Sequence, residues 1–115
     1  MRPDLDVLAD PTRRLILALL SAEHELCVCE LEAALDAPQP VVSRQLAVLR
    51  EGGWLEARRE GRRIYYRLDQ KSPWWVGLLL EAYTEGGVPT PVLHEALARL
   101  HAFTGRLLRL TRAAS

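Results

Sequence analysis

The sequence predicts a mostly α protein carrying one β-hairpin, and three observations predict it. Apolar residues recur at helical spacing in five separate stretches. One pair of strand-like runs flanks a short turn between residues 54 and 68. The Gly and Pro residues fall mostly between these segments, as punctuation. With 115 residues, 49% of them apolar, the chain suits one compact domain over residues 1–115 and is too apolar for wholesale disorder.

Asp10-Pro11-Thr12 opens the first helix: Asp10 can cap the orphan amides and Pro11 fits the first helical position. Leu15, Ile16, Leu19 and Leu20 give it an apolar stripe. A polar stretch over residues 22–25 separates it from a second helix, which starts at about Cys27 or Cys29 and ends at Leu35, with Leu31, Ala34 and Leu35 inward. Asp36-Ala37-Pro38-Gln39-Pro40 is a break, since each proline biases its predecessor away from helix. A third helix runs from near Pro40 to Glu51 on Val42, Leu46 and Leu49, and Gly52-Gly53 stops it. A strand over residues 54–59, a Glu60-Gly61 turn and a return strand over residues 62–68 make the hairpin, with Ile64, Tyr66 and Leu68 on one face. Ser72-Pro73 starts a very apolar helix to Tyr83, and Thr90-Pro91 starts a last one to about Arg112.

A helix pair joined by a tight break and followed by a basic hairpin is a winged helix-turn-helix. Charge agrees. Net charge is zero, but residues 1–40 carry three Arg against eight acids, while residues 41–67 carry seven Arg against three. The resulting +4 falls on the third helix and the hairpin, where a phosphate-binding face would lie. The N-terminal end of the third helix would offer Gln39, Val41, Ser43, Arg44 and Gln45 to base edges. Arg59, Arg62 and Arg63 surround the hairpin turn, where an arginine can enter a narrow minor groove. One unit presents one such helix, so specific binding to double-stranded DNA calls for two units on half-sites about one helical turn apart. The helix over residues 72–83 and the final helix are more apolar than a small core needs, which supplies a surface for a homodimer.

Cys27 and Cys29 are too few and too close for a disulfide framework. As thiolates they select soft ions such as As(III), Sb(III), Cd(II) or Cu(I). Both stand where a helix begins, which lowers a thiol's pKa. On a helix, residues two apart point about 200° apart and cannot both bind one atom, so binding should unwind the first turn and disturb the third helix packed against it. The alternatives are a Cys pair that is simply buried and structural, with a redox or organic signal, or His24, Cys27 and Cys29 with an acid around Zn(II) or Cd(II). His94 and His101, seven apart on the last helix, read as a surface or interface pair.

Several stretches resemble the ArsR family of metal-responsive bacterial repressors. Leu8-Ala9-Asp10-Pro11-Thr12-Arg13-Arg14-Leu15-Ile16-Leu17 resembles its first long helix, and Glu25-Leu26-Cys27-Val28-Cys29-Glu30-Leu31 its arsenic-site motif. Gln39-Pro40-Val41-Val42-Ser43-Arg44-Gln45-Leu46-Ala47-Val48-Leu49-Arg50 resembles its recognition helix. Arg58-Arg59-Glu60-Gly61-Arg62-Arg63-Ile64-Tyr65-Tyr66-Arg67-Leu68 resembles its wing. The resemblance implies a repressor that leaves an inverted-repeat operator when an inducer binds the Cys pair, As(III) or Sb(III) first, then an organoarsenical, then a divalent metal. It implies a dimer formed by the terminal helices, with Leu5, Leu8, Trp74, Leu78, Leu97 and Leu100 at the interface. Two departures stand out. The family often has His where this chain has Gln45, and arsenic-responsive members often have a third Cys where this chain has Glu32. With no other cysteine, two thiolates would hold As(III) together with hydroxide or a small thiol.

Rival classes find less support. There is no Gly-rich phosphate loop, no metalloprotease pair and no nucleophile flanked by a base, so neither an enzyme nor a catalytic cofactor is expected. A pure protein-interaction module would not bind DNA in a salt-dependent way. No apolar run approaches the roughly 20 residues of a membrane span. Residues 1–6 lack the apolar stretch of a secretory signal, so a cytoplasmic protein without a membrane partner is expected.

Overall fold

A computed structural model describes residues 4–70 and 90–103. A 3-10 helix, Leu5–Ala9, leads into α1 (Pro11–Glu23), β1 (Glu25–Cys27), α2 (Val28–Leu35), α3 (Gln39–Glu51), β2 (Leu55–Glu60), β3 (Arg63–Leu68) and α4 (Thr90–Ala102). The expected helix over residues 72–83, with Trp74 and Leu78, and the last helix beyond residue 103 lie outside the described residues.

The helices start and stop where side-chain and glycine chemistry allows. Asp10 caps α1 by accepting from the amides of Thr12 (2.7 Å) and Arg13 (3.3 Å), with Pro11 in the first turn. At the end of α3, the Trp54 amide donates to the Leu49 carbonyl and the Gly53 amide to that of Arg50. That paired closure needs a left-handed residue, and Gly53 supplies it at φ 85°. The end of α2 closes the same way around Asp36 at φ 50°, with Ala37 donating to Glu32 and Asp36 to Ala33. This gives the tight corner between α2 and α3.

Ile16, Leu19 and Leu20 from α1, Leu31 and Ala34 from α2, Val42, Leu46 and Leu49 from α3, and Ala96 and Leu100 from α4 converge in one core with Leu26, Trp54 and Leu55. The N-terminal 3-10 helix is fastened to the far end of α3. The Asp4 amide donates to Gly52 O and Trp54 Nε1 donates to Asp4 O, both at 2.7 Å. Gly52 permits this approach, because a Cβ there would sit 3.0 Å from Val7 Cγ1.

The sheet differs from the expected hairpin in two ways. It has three strands in the order β1-β3-β2, because Glu25–Cys27 pairs antiparallel with β3. A strand of three residues is too short to display alternation, so its sequence reads only as a polar linker followed by a helix start. Within the hairpin, Glu60 faces Arg63, so the turn is Gly61-Arg62, one residue later than expected. Gly61 takes φ 63° at the first of two central positions, where a hairpin turn with one positive φ places glycine. Tyr66 and Leu68 pack on the core as expected, but Tyr65 on the opposite face is the more buried, covered by the Arg58 guanidinium 4.7 Å from its ring centre.

Candidate functional site

The first turn of α3 is open to solvent: Gln39, Val41 and Arg44 are exposed, while Ser43 and Gln45 are half-buried. Val42, on the opposite side of the same turn, is fully buried and fixes which face looks outward. Two of the five expected base readers are paired with each other, Gln39 Nε2 donating to Ser43 Oγ at 2.6 Å. A third, Gln45, accepts through Oε1 from Arg13 Nη1 at 3.1 Å. Arg13 also donates from Nε to Val7 O at 2.7 Å. Gln45 therefore ties α3 to the N-terminal segment, a positioning contact that the sequence does not reveal.

The seven arginines of residues 41–67 divide into two groups. Arg58 binds Glu25 (2.6 Å) and Glu60 (2.9 Å), and Arg67 binds Glu56 (3.0 Å). The Glu25 contact, then that of Glu60, pushes the Arg58 pKa up and fixes its charge. Arg59, Arg62 and Arg63 at the wing and Arg44 and Arg50 on α3 are exposed, and among the described residues no ion pair claims them. Cross-strand pairs with acids are thus what separates structural arginines from available ones.

Cys27 and Cys29 do not both lie on a helix. Cys27 ends β1 with extended backbone (φ −89°, ψ 169°) and caps α2, whereas Cys29 is in the first turn of α2. This corrects the premise that both thiols point from one helical turn. The two line a single cavity of about 190 Å³ with Val28, Arg62, Arg63 and Ile64. The sheet register explains it: Cys27 pairs with Tyr65, so the chain around Cys27 lies beside Ile64 and the wing turn.

Cys27 is 4% exposed and Cys29 is exposed. The lowered pKa expected for a thiol at a helix start does not hold at Cys27, where burial pushes the thiol up. Cys27 also takes part in a reciprocal cap. Its backbone N–H donates to Glu30 Oε1 at 3.0 Å, and its sulfur accepts from the Glu30 amide. Glu30 is only 1% exposed, so this carboxylate is built into the joint. Its sequence signal was the capping-box spacing, with a thiol in place of the usual hydroxyl.

Other expected placements separate. No group of three or more His, Cys, Asp and Glu suited to a metal occurs among the described residues, so His24 does not join the thiols. His101 Nε2 lies 2.8 Å from Glu23 Oε1, while His94 is exposed. Leu8 (3% exposed) and Leu100 (0%), expected at a dimer interface, are already buried in the core of the single chain and have no surface to offer. Leu5 is 53% exposed and Leu97 half-buried. No helix among the described residues is long and apolar enough to cross a membrane.

A tight helix pair, an open-faced second helix and a basic three-stranded wing define a winged helix-turn-helix regulator. Comparison places it more narrowly. The profile of bacterial regulatory proteins of the arsR family matches residues 10–56. The arsenic resistance transcriptional regulator ArsR1 of Pseudomonas putida is 49% identical over 78 residues, 68% of this chain and 61% of the relative, so this chain spans less than two thirds of that protein. The arsenic resistance transcriptional regulator ArsR2 of the same species is 40% identical over 102 residues, 89% of this chain and 87% of the relative. Among solved structures, the homodimeric winged helix-turn-helix DNA-binding domain Mb0332 from Mycobacterium bovis superposes with a TM-score of 0.60 at 33% identity, covering 71% of this chain and 72% of that one. The AntR antimony-specific transcriptional repressor superposes with a TM-score of 0.59 at 35% identity, covering 69% and 68%. The chain belongs to the ArsR family.

Proposed function

We propose that this chain is a cytoplasmic transcriptional repressor that binds an inverted-repeat operator as a homodimer and lets go when a trivalent arsenical or antimonial bridges Cys27 and Cys29. The observation that carries this reading is the shared cavity: the only two thiols of the chain open into one space, next to the wing. The names of the relatives, arsenic resistance regulators and an antimony-specific repressor, point to the same class of inducer.

The chemistry balances without a base or a redox partner. Two sulfur–arsenic bonds form, two arsenic–hydroxyl bonds break, and each departing hydroxyl leaves as water with a thiol proton. Arsenic stays trivalent and keeps one hydroxyl. A thiol held protonated by burial is no obstacle to this exchange, whereas a divalent cation would have to expel the proton. Bridging pulls the Cys27 sulfur away from the Glu30 amide, so the strand–helix joint shifts. Because α2 packs on α3, that shift is felt by the helix facing DNA. The ligand thereby favours a conformation that the operator does not.

On the DNA side, Gln39, Val41, Ser43 and Arg44 read the major groove, Gln45 holds α3 in register, and Arg59, Arg62 and Arg63 contact the backbone or minor groove. Leu5 and Leu97 cover part of the dimer contact. The test is fluorescence anisotropy on duplex DNA from upstream of the gene, titrated with arsenite. Release of the wild type, with Cys27→Ser and Cys29→Ser remaining bound, is the expected result. Stable DNA binding that arsenite never disturbs would remove the sensing role and leave the DNA-binding role.

A further inference from the structure

We propose that Arg62 and Arg63 form the second half of the effector site: their guanidinium groups hold the oxygen that arsenic or antimony keeps after Cys27 and Cys29 have bound it. The inference rests on the thiol pair being the sensor, and it adds a selectivity that the thiols alone lack.

The cavity is made from two sides. The end of β1 and the first turn of α2 bring Cys27, Val28 and Cys29; the wing turn and the start of β3 bring Arg62, Arg63 and Ile64. Its volume of about 190 Å³ accommodates one metalloid with a hydroxyl, given roughly 30 Å³ for a water-sized group. Among the described residues, four that line it are two soft donors and two cations, and the other two, Val28 and Ile64, are half-buried apolar walls.

The two arginines are also available. Arg58 and Arg67 in the same hairpin are held by acids, whereas Arg62 and Arg63 are exposed and outside every ion pair among the described residues. Each guanidinium offers up to five N–H donors and no acceptor. An arsenic hydroxyl oxygen between two thiolates is an acceptor of matching type. A methyl group at the same position accepts nothing, and facing it would cost the arginines hydration for no return. Both effectors exchange two hydroxyls for two sulfurs with loss of two waters, so the thiols gain equally from each. The difference between them falls on the wing. The same guanidiniums are those offered to DNA, so an effector that holds them withdraws them from the duplex.

The test uses the free, full-length protein and calorimetric titration with arsenite and, separately, with methylarsenite. In an Arg62→Ala/Arg63→Ala double variant, arsenite binding weakens by about tenfold, the scale of a charge-assisted hydrogen bond, while methylarsenite binding changes less than about twofold. Arg59→Ala, a wing arginine that does not line the cavity, changes neither. Equal weakening of both arsenicals, or of neither, would overturn the proposal while leaving the thiol sensor standing. Absence of Cys27- and Cys29-dependent arsenite binding in the wild type would remove the sensor, and this inference with it.

Discussion

Cys27 and Cys29 sit two residues apart yet in different chemical settings. Cys27 is buried and its pKa is pushed up, mainly by desolvation, so below that raised value the thiol holds its proton. A divalent ion must displace that proton, and its affinity should climb by up to about tenfold per pH unit for each proton released. Arsenite brings its own hydroxyls, so its affinity should stay level. Titrations with Cd(II) and arsenite at pH 6, 7 and 8 separate the two; an arsenite affinity that rises as steeply as that of Cd(II) would contradict the water-releasing exchange. At this scale much was legible. The Cys pair stands out in any reading of the chain, and so does its position at a helix start. What the sequence hid was burial: a thiol at the end of a strand and one in the first turn of a helix look alike until the sheet closes over one of them. Glu30 carries the capping-box spacing, but nothing local says that its carboxylate is buried.

The elements with long periodic stripes, α1 and α3, were readable to within a residue or two, because many positions vote for one period. The short ones were not. β1 exists only because β3 offers it an edge, a nonlocal cause with no local trace. Its entry carries a cost. His24, between α1 and β1, takes φ 67° and ψ −55°, a conformation that residues with a Cβ avoid. Strain of this kind runs to about 1–3 kcal/mol, against which glycine loses up to about 1 kcal/mol through its freer unfolded chain. His24→Gly should therefore stabilise the protein by about 1 kcal/mol in urea unfolding. A loss of stability would mean that the imidazole makes a contact outweighing the strain. The turn of the wing teaches a similar lesson: Glu60-Gly61 and Gly61-Arg62 are both plausible centres by composition, and only pairing of Glu60 with Arg63 decides between them.

For the whole molecule, the basic segment over residues 41–67 was visible from simple counting, but the count could not say which charges are spent. Arg58 lies against Glu25, more than thirty residues away in sequence, and no local pattern announces that bond. The division has a measurable consequence for DNA binding. Arg62→Ala should reduce the slope of log affinity against log salt by about one, as expected when one phosphate contact is lost. Arg58→Ala should leave that slope nearly unchanged. Equal slopes in wild type and Arg62→Ala would place Arg62 off the duplex.

The same partition of arginines shapes how the protein arrives at DNA. With no net charge, the chain has almost no monopole to draw it towards every polyanion in the cell. Its charge is uneven along the chain, −5 over residues 1–40 and +4 over residues 41–67, and the exposed arginines outside ion pairs lie on α3 and the wing. Within about 10 Å of a duplex at moderate salt, those arginines are drawn towards the phosphates. The approach is therefore oriented before any groove is read. Heparin, a polyanion without grooves, should retain the protein only weakly; tight retention would show that the arginine surface acts as an unselective cationic patch.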